Sequence, residues 1–195
     1  HSNTICSTWG NEYIKTFDGD VYQFPGTCVY NLASDCHESY LEFSVHMRRT
    51  NEGGHPTIKE LEITIKEEVI LLTPKLAFVN EEPISTPYYG SGILVERNEI
   101  YTKLYTKLGL TLMWNRADAV MLELETKFQN RTCGLCGDYN GQQLFNEFIF
   151  NGDQLSPIEF GNLQKVHQPN EECEDAVEEE TMAACTQYVS PCPVL

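Results

Sequence analysis

The run Cys133-Gly134-Leu135-Cys136-Gly137-Asp138-Tyr139-Asn140-Gly141 gathers two thiols, a carboxylate and an amide in one short stretch. Three chemistries use such a set. A CxxC dithiol exchanges disulfides when one thiol is held as the thiolate. Oxygen donors at alternate positions bind a hard cation. Paired singly with distant cysteines, the same thiols become structural anchors. The local residues disfavour the first of these. Asp138 opposes a nearby thiolate, and Tyr139-Asn140-Gly141 reads as a turn, not as the helix N-terminus that would lower a thiol pKa. Anchoring is therefore the reading for the cysteines. The alternative is a thiol–disulfide oxidoreductase using Cys133 and Cys136.

Asp138, Asn140 and the backbone at Gln142 have the every-second-residue spacing of a calcium loop, and Asn146 and Glu147 follow within reach. The loop is not an EF-hand. Its glycine falls at the wrong position, and Ile149 stands where the bidentate glutamate belongs. So few charges bind a cation weakly, so a carboxylate from elsewhere is needed. Asp18 and Asp20, in Thr16-Phe17-Asp18-Gly19-Asp20, are the candidates. The other reading is that Asp138 and Asn140 only shape a turn, and spacing does not choose between the two.

Two further motifs bear chemistry. If Arg116-Ala117-Asp118 is a three-residue hairpin loop, Asn115 pairs with Ala119 and Met113 lies opposite Met121, with Cβ atoms about 4.5–5.5 Å apart. Glu123 then shares a face with Met121. Two thioethers suit Cu(I), while a carboxylate and an imidazole suit Cu(II), and His1 or another histidine would complete the set. Methionines on a buried face also simply fill space. Asn130-Arg131-Thr132 is a sequon for N-glycosylation at Asn130.

The elements that position these residues read as strands. Leu41, Phe43, Val45 and Met47 alternate with polar residues, as do Ile63 and Ile65. Ile93 to Val95, Ile100 to Leu104, Leu110 to Trp114 and Val120 to Leu124 continue the pattern, with turn residues between. Such spacing predicts an all-β sandwich or barrel. After Phe148 the character changes. Asn151-Gly152-Asp153 predicts a turn, and Ser156-Pro157-Ile158-Glu159 predicts a helix start with Ser156 as N-cap and Glu159 at N3. From Glu171 to Glu180 the chain reads as an acidic, solvated connector tied back by Cys173.

Composition sets the surroundings. The chain has 195 residues, eight cysteines and a formal net charge of −16. An even number of widely spaced cysteines, with one CxxC and no histidine near it, favours disulfides and an oxidising compartment over a thiolate zinc site. The charge disfavours nucleic acid and anionic membrane surfaces. No run of about 18 apolar residues is present to cross a membrane as a helix. The start at His1 reads as a mature or trimmed fragment.

Cys6-Ser7-Thr8-Trp9-Gly10, Tyr13 and Thr16-Phe17-Asp18-Gly19-Asp20 resemble the opening of a von Willebrand factor type D domain, and Cys133 to Gly141 resembles that family's signature near its end. Leu112-Met113-Trp114-Asn115, Glu123-Leu124-Glu125 and Glu159-Phe160-Gly161-Asn162-Leu163-Gln164-Lys165 resemble the first D assembly of secreted gel-forming mucins, nearest the intestinal type. The resemblance implies a disulfide-stapled β-sandwich with bound calcium and a short helical or irregular C-terminal extension. It implies side-chain ligands from Asp18, Asp138, Asn140 and Asn146 or Glu147, and a carbonyl ligand from Gln142. It implies the pairs Cys6–Cys136, Cys36–Cys133 and Cys28–Cys173, leaving Cys185 with Cys192. It also implies copper at Met113, Met121 and Glu123.

The expected protein is therefore not an enzyme. It is a secreted, extracellular glycoprotein domain spanning residues 1–173, followed at 174–195 by an acidic connector and the start of a cysteine-rich module. The resemblance implies partners among other D modules of the same chain and other mucin chains, in calcium-dependent, disulfide-linked mucus polymers. The isolated chain is expected to be monomeric.

Overall fold

A computed structural model of the chain describes residues 3–37, 41–142 and 148–178. The chain opens with β1 (Thr4–Trp9), β2 (Tyr13–Lys15) and β3 (Val21–Gln23). Six strands follow: β4 (Val29–Asp35), β5 (Phe43–Glu52), β6 (His55–Ile65), β7 (Glu68–Leu72), β8 (Ala77–Val79) and β9 (Glu82–Pro83). The next group is β10 (Tyr88–Tyr89), β11 (Ile93–Arg97), β12 (Thr102–Thr106), β13 (Leu110–Trp114) and β14 (Val120–Leu124). Short pieces close the chain: β15 (Thr132–Cys133), β16 (Ile149–Phe150), β17 (Asp153–Gln154) and the helix α1 (Pro157–Leu163).

These strands make two large antiparallel sheets. One has eight strands in the order β10-β11-β12-β13-β14-β1-β2-β3, and the other has seven in the order β15-β4-β5-β6-β7-β8-β9. Period-two alternation decides which side chains go inside. Leu110, Leu112 and Trp114 on β13 and Val120, Leu122 and Leu124 on β14 are buried, as are Phe43, Val45 and Met47 on β5 and Ile63 and Ile65 on β6. Residues from both sheets join one hydrophobic cluster, the arrangement of a β-sandwich.

The expected strands form with shifted ends. β13 and β14 occupy the expected residues. β5 starts at Phe43, leaving Leu41 half exposed, and β12 starts at Thr102, leaving Ile100 71% exposed on the preceding turn. Asn98 explains the latter, because its Oδ1 accepts from the amides of Ile100 and Tyr101 and fixes a turn there. β4 escapes an alternation rule altogether. It is buried along nearly its whole length and carries a register shift between Asn31 and Ala33. Its outer side is covered by Leu135 and Cys136, whose amides donate to the Asn31 and Leu32 carbonyls, and by the segment after α1, where Val166 donates to Val29.

α1 begins as its sequence dictates. The Ser156 side chain accepts from the Glu159 amide, the Glu159 carboxylate accepts from the Ser156 amide, and Pro157 sits in the first turn. Phe160 packs edge-on against Tyr22 and Phe148 at 5.8 and 5.1 Å between ring centroids. Gly161 lets the helix close on the sandwich, since a Cβ there would lie 2.2 Å from the Phe24 ring. The stretch after the helix is largely solvent-exposed and tied back by Cys173, and it carries contacts that its acidic composition does not announce. Asn162 exchanges two hydrogen bonds with the Ala176 backbone, Lys165 pairs with Asp175 at 2.6 Å, and Glu171 pairs with Arg48 at 2.9 Å.

All six cysteines among the described residues are bonded: Cys6 to Cys136, Cys28 to Cys173 and Cys36 to Cys133. Cys185 and Cys192 lie outside the described residues. Cys133 and Cys136 do not form a dithiol with one another, because each is held by a distant partner.

Candidate metal centre

Asp18 sits at the tip of the turn joining β2 to β3. The Thr16 amide donates to the Asp20 carbonyl at 2.8 Å, and the Gly19 amide donates to the Thr16 carbonyl at 3.1 Å. The Phe17 amide then donates to the Cys136 carbonyl at 2.9 Å, and the Thr4 hydroxyl to the Phe17 carbonyl at 2.6 Å. These bonds fasten the turn to the Cys6–Cys136 disulfide, whose two residues are both buried.

The facing loop is built on glycine. Gly134 has φ of 124°, and a Cβ on it would lie 2.6 Å from the Leu32 carbonyl oxygen. A side chain there would push the loop off β4. Tyr139 turns the chain again at φ of 52° and packs its ring on Phe17 at 5.6 Å. Asp138 and Asn140 flank it and face the Asp18 turn.

Asp18 clamps this loop. Its Oδ2 accepts from the Asn140 amide at 3.0 Å and its Oδ1 from the Gly141 amide at 2.7 Å. Asn140 donates from Nδ2 to Asp138 Oδ2 at 3.3 Å, and its own Oδ1 accepts from the Gln142 amide at 2.7 Å. Asp138 Oδ1 is buried and has no hydrogen-bond partner. Burial, and then the charge of Asp18, push the Asp138 carboxyl above the usual carboxylate range. Burial and Asp18 also push the Tyr139 phenol up.

Two carboxylates held together, with one oxygen orphaned, make an arrangement that a divalent cation neutralises. The residues fit such an ion: Asp18, Asp138 and Asn140 offer side-chain oxygens, and Gln142 adjoins them. Asn146 and Glu147 lie outside the described residues. Asp20, the other candidate, is wholly buried with both oxygens unpartnered, and the charge bearing on Asp138 is that of Asp18. Among the described residues, no group of three or more His, Cys, Asp or Glu side chains gathers as a metal site.

The methionines stand on the outer face of the eight-stranded sheet. Met113 is directly opposite Met121 across β13 and β14, and Asn115 closes the hairpin by donating to the Ala119 carbonyl at 3.0 Å. Met121 is 44% exposed and has Ser7 beside it on β1. Glu123 lies opposite Ile5 and accepts from Asn3 Nδ2 at 3.3 Å. His1 lies outside the described residues. Asn130 is exposed, whereas Thr132 of the same triplet is buried.

Sequence reasoning missed the ion pair beside this centre. Arg131 Nη2 lies 2.9 Å from a fully buried Asp35 oxygen, joining the sequon to the end of β4. Nothing in the spacing of residues 35 and 131 signals the pair, because it exists only through the β4–β15 pairing of Thr132 with Asp35.

Residues 6–150 match the von Willebrand factor type D domain. The chain is 54% identical over 192 residues to Mucin-2 of Rattus norvegicus, covering 97% of this chain and 13% of that protein. It is 53% identical over 194 residues to Mucin-2 of Homo sapiens, covering 98% of this chain and 4% of that one. Against Mucin-5AC of Homo sapiens the identity is 44% over 179 residues, 92% of this chain and 3% of the other. The chain thus spans a small part of the curated relatives it matches. These relatives are secreted gel-forming mucins, and the chain shares their extracellular setting. With both signature ends in place and the match covering most of its length, the chain belongs to the von Willebrand factor type D domain family.

Proposed function

We propose that this domain is a non-catalytic assembly module of a gel-forming mucin, held in shape by its disulfides and by calcium, and that it contributes to disulfide-linked mucus polymers together with other D modules of its own and neighbouring chains. The observation that carries the calcium reading is the Asp18–Asp138 pair, with Asp138 Oδ1 buried and unpartnered. Asp18, Asp138 and Asn140 hold the ion by side chains and Gln142 by its carbonyl, with Asn146 or Glu147 completing the set. A bound cation removes the repulsion of the two carboxylates and fixes the loop against the Cys6–Cys136 bond. Calorimetric titration of metal-free protein should give saturable calcium heat, and chelation should lower the melting temperature, as loss of any native-state ligand does. No heat and an unchanged melting curve, with the metal shown to be gone, would sink the calcium site.

A non-catalytic role is supported by Cys133 and Cys136 each being bonded to a different, distant cysteine. A thiol count on native protein should find none at these two positions. Readily titrated thiols there would favour the oxidoreductase instead.

A second reading concerns copper. The direct Met113–Met121 register on an accessible face, with Glu123 on the next outward position, supports Cu(I) at the two thioethers. Replacing both methionines with Leu should abolish Cu(I) binding with little loss of stability, because the pair lies outside the core. Retained Cu(I) affinity in that double variant rules the site out.

A further inference from the structure

We propose that Asn130 receives its glycan only before the Cys36–Cys133 disulfide closes, so that this bond ends the period in which the site can be modified. The two halves of the triplet have opposite fates in the fold. Asn130 is exposed, so the folded surface has room for an oligosaccharide there. Thr132 is 4% exposed, and its hydroxyl donates to the Gly137 carbonyl at 2.9 Å. The triplet is defined by that hydroxyl residue, so the modifying enzyme has to reach it as well as the asparagine.

The backbone is also committed. Asn130 is held at φ of 61° with its amide donating to the Tyr139 carbonyl at 2.8 Å. The Arg131 amide donates to the Phe128 carbonyl at 3.0 Å, and the Arg131 carbonyl accepts from the Cys36 amide at 2.8 Å. Thr132 pairs with Asp35 and Cys133 with Ser34. One residue past the triplet, Cys133 is bonded to Cys36. Drawing Thr132 out as an extended acceptor requires β15 to leave β4, and the disulfide joins the ends of those two strands covalently.

Chemically, the Asn130 amide nitrogen forms a bond to the anomeric carbon of an oligosaccharide carried on a lipid pyrophosphate. The sugar–phosphate C–O bond breaks, the amide gives up one proton, and the lipid pyrophosphate leaves. No electrons are exchanged in that step. Closure of Cys36 with Cys133 is a separate exchange with the disulfide of a thiol oxidoreductase, which leaves as a dithiol. The two reactions compete for the same nascent segment. Glycan occupancy therefore records which came first.

The test uses the full chain made without glycan, offered to oligosaccharyltransferase with a lipid-linked oligosaccharide donor, with attachment read by intact mass. Oxidised, folded chain should be modified at Asn130 at least about tenfold more slowly than the same chain reduced and alkylated. Cys36→Ala/Cys133→Ala, oxidised at its other bonds and with the triplet intact, should be modified faster than the oxidised parent. Equal rates for oxidised and reduced parent would overturn the proposal. A double variant as slow as the oxidised parent would overturn it too, by removing this disulfide as the gate.

Discussion

Asp138 carries the sharpest consequence of a single side chain. Its carboxyl is raised by burial first and by Asp18 second, so the fold holds that proton more tightly than the unfolded chain does. Without metal, the stability this contributes is fully present below the ordinary carboxyl value of 3.8 and is lost as pH rises through the raised folded value. Asp138→Asn should therefore melt higher than the parent in chelator at neutral pH, and the gap should close on acidification toward that ordinary value. In calcium the order should reverse, because the variant has lost a charged ligand. Parallel melting curves at every pH and in both conditions would contradict this account. Gly134 is the second decisive residue. A methyl group there meets the Leu32 backbone, so Gly134→Ala combines left-handed strain with overpacking. The expected cost is about 2–5 kcal/mol, or a melting point lower by roughly 5–15 °C on thermal scanning.

The elements show what a sequence can and cannot disclose. β13 and β14 were legible because one face is buried, so alternation survives intact in Leu110 to Trp114 and Val120 to Leu124. The capping box of α1 was legible because it is local, with donors and acceptors within four residues. β4 was not. Covering both of its sides removes the polar half of the pattern, and its register shift breaks the period. The partners of the acidic connector were hidden for a related reason. A run of acidic residues has the composition of a solvated chain, and only the fold supplies Arg48 to Glu171 and Lys165 to Asp175. Asp18 and Asp138 were legible as donors to one site, and the fold sets the Asp18 turn against the Asp138 loop through the Phe17–Cys136 hydrogen bond and the Cys6–Cys136 disulfide. Within this scale α1 is the part most open to test. Ser156→Ala removes one side-chain acceptor and one half of the box, at a cost of about 1 kcal/mol. Its effect should be local. Hydrogen exchange should quicken in α1 and in the segment near Ala176, and hardly at all in β13. A uniform rise across the molecule would mean that the helix is not a separately loosened unit.

At the scale of the whole molecule, the three described disulfides join residues 130, 145 and 97 positions apart, so each ties an early part of the chain to a late one. That arrangement also decides where tension runs. A pull entering ahead of Cys6 and leaving after Cys173 takes the route with the fewest residues: across to Cys136, back along the chain to Cys133, across to Cys36, back along β4 to Cys28 and across to Cys173. The backbone from Cys6 to Cys28 and that from Cys136 to Cys173 each contain more residues than this route and stay slack. Under load, only the stretches Cys133 to Cys136 and Cys28 to Cys36 can straighten, at roughly 3.3–3.6 Å per residue. In an optical trap the oxidised chain should yield this one short extension, and reductant should release the remainder. A full-length extension without reductant would refute the route. β4 and the turn from Cys133 to Cys136 lie in the line of force, whereas strands β5 to β14 and Asp138 lie beside it. In a stretched gel the domain would behave as a rivet: the network could be drawn taut through β4 and the three described sulfur–sulfur bonds while strands β5 to β14 kept their resting shape.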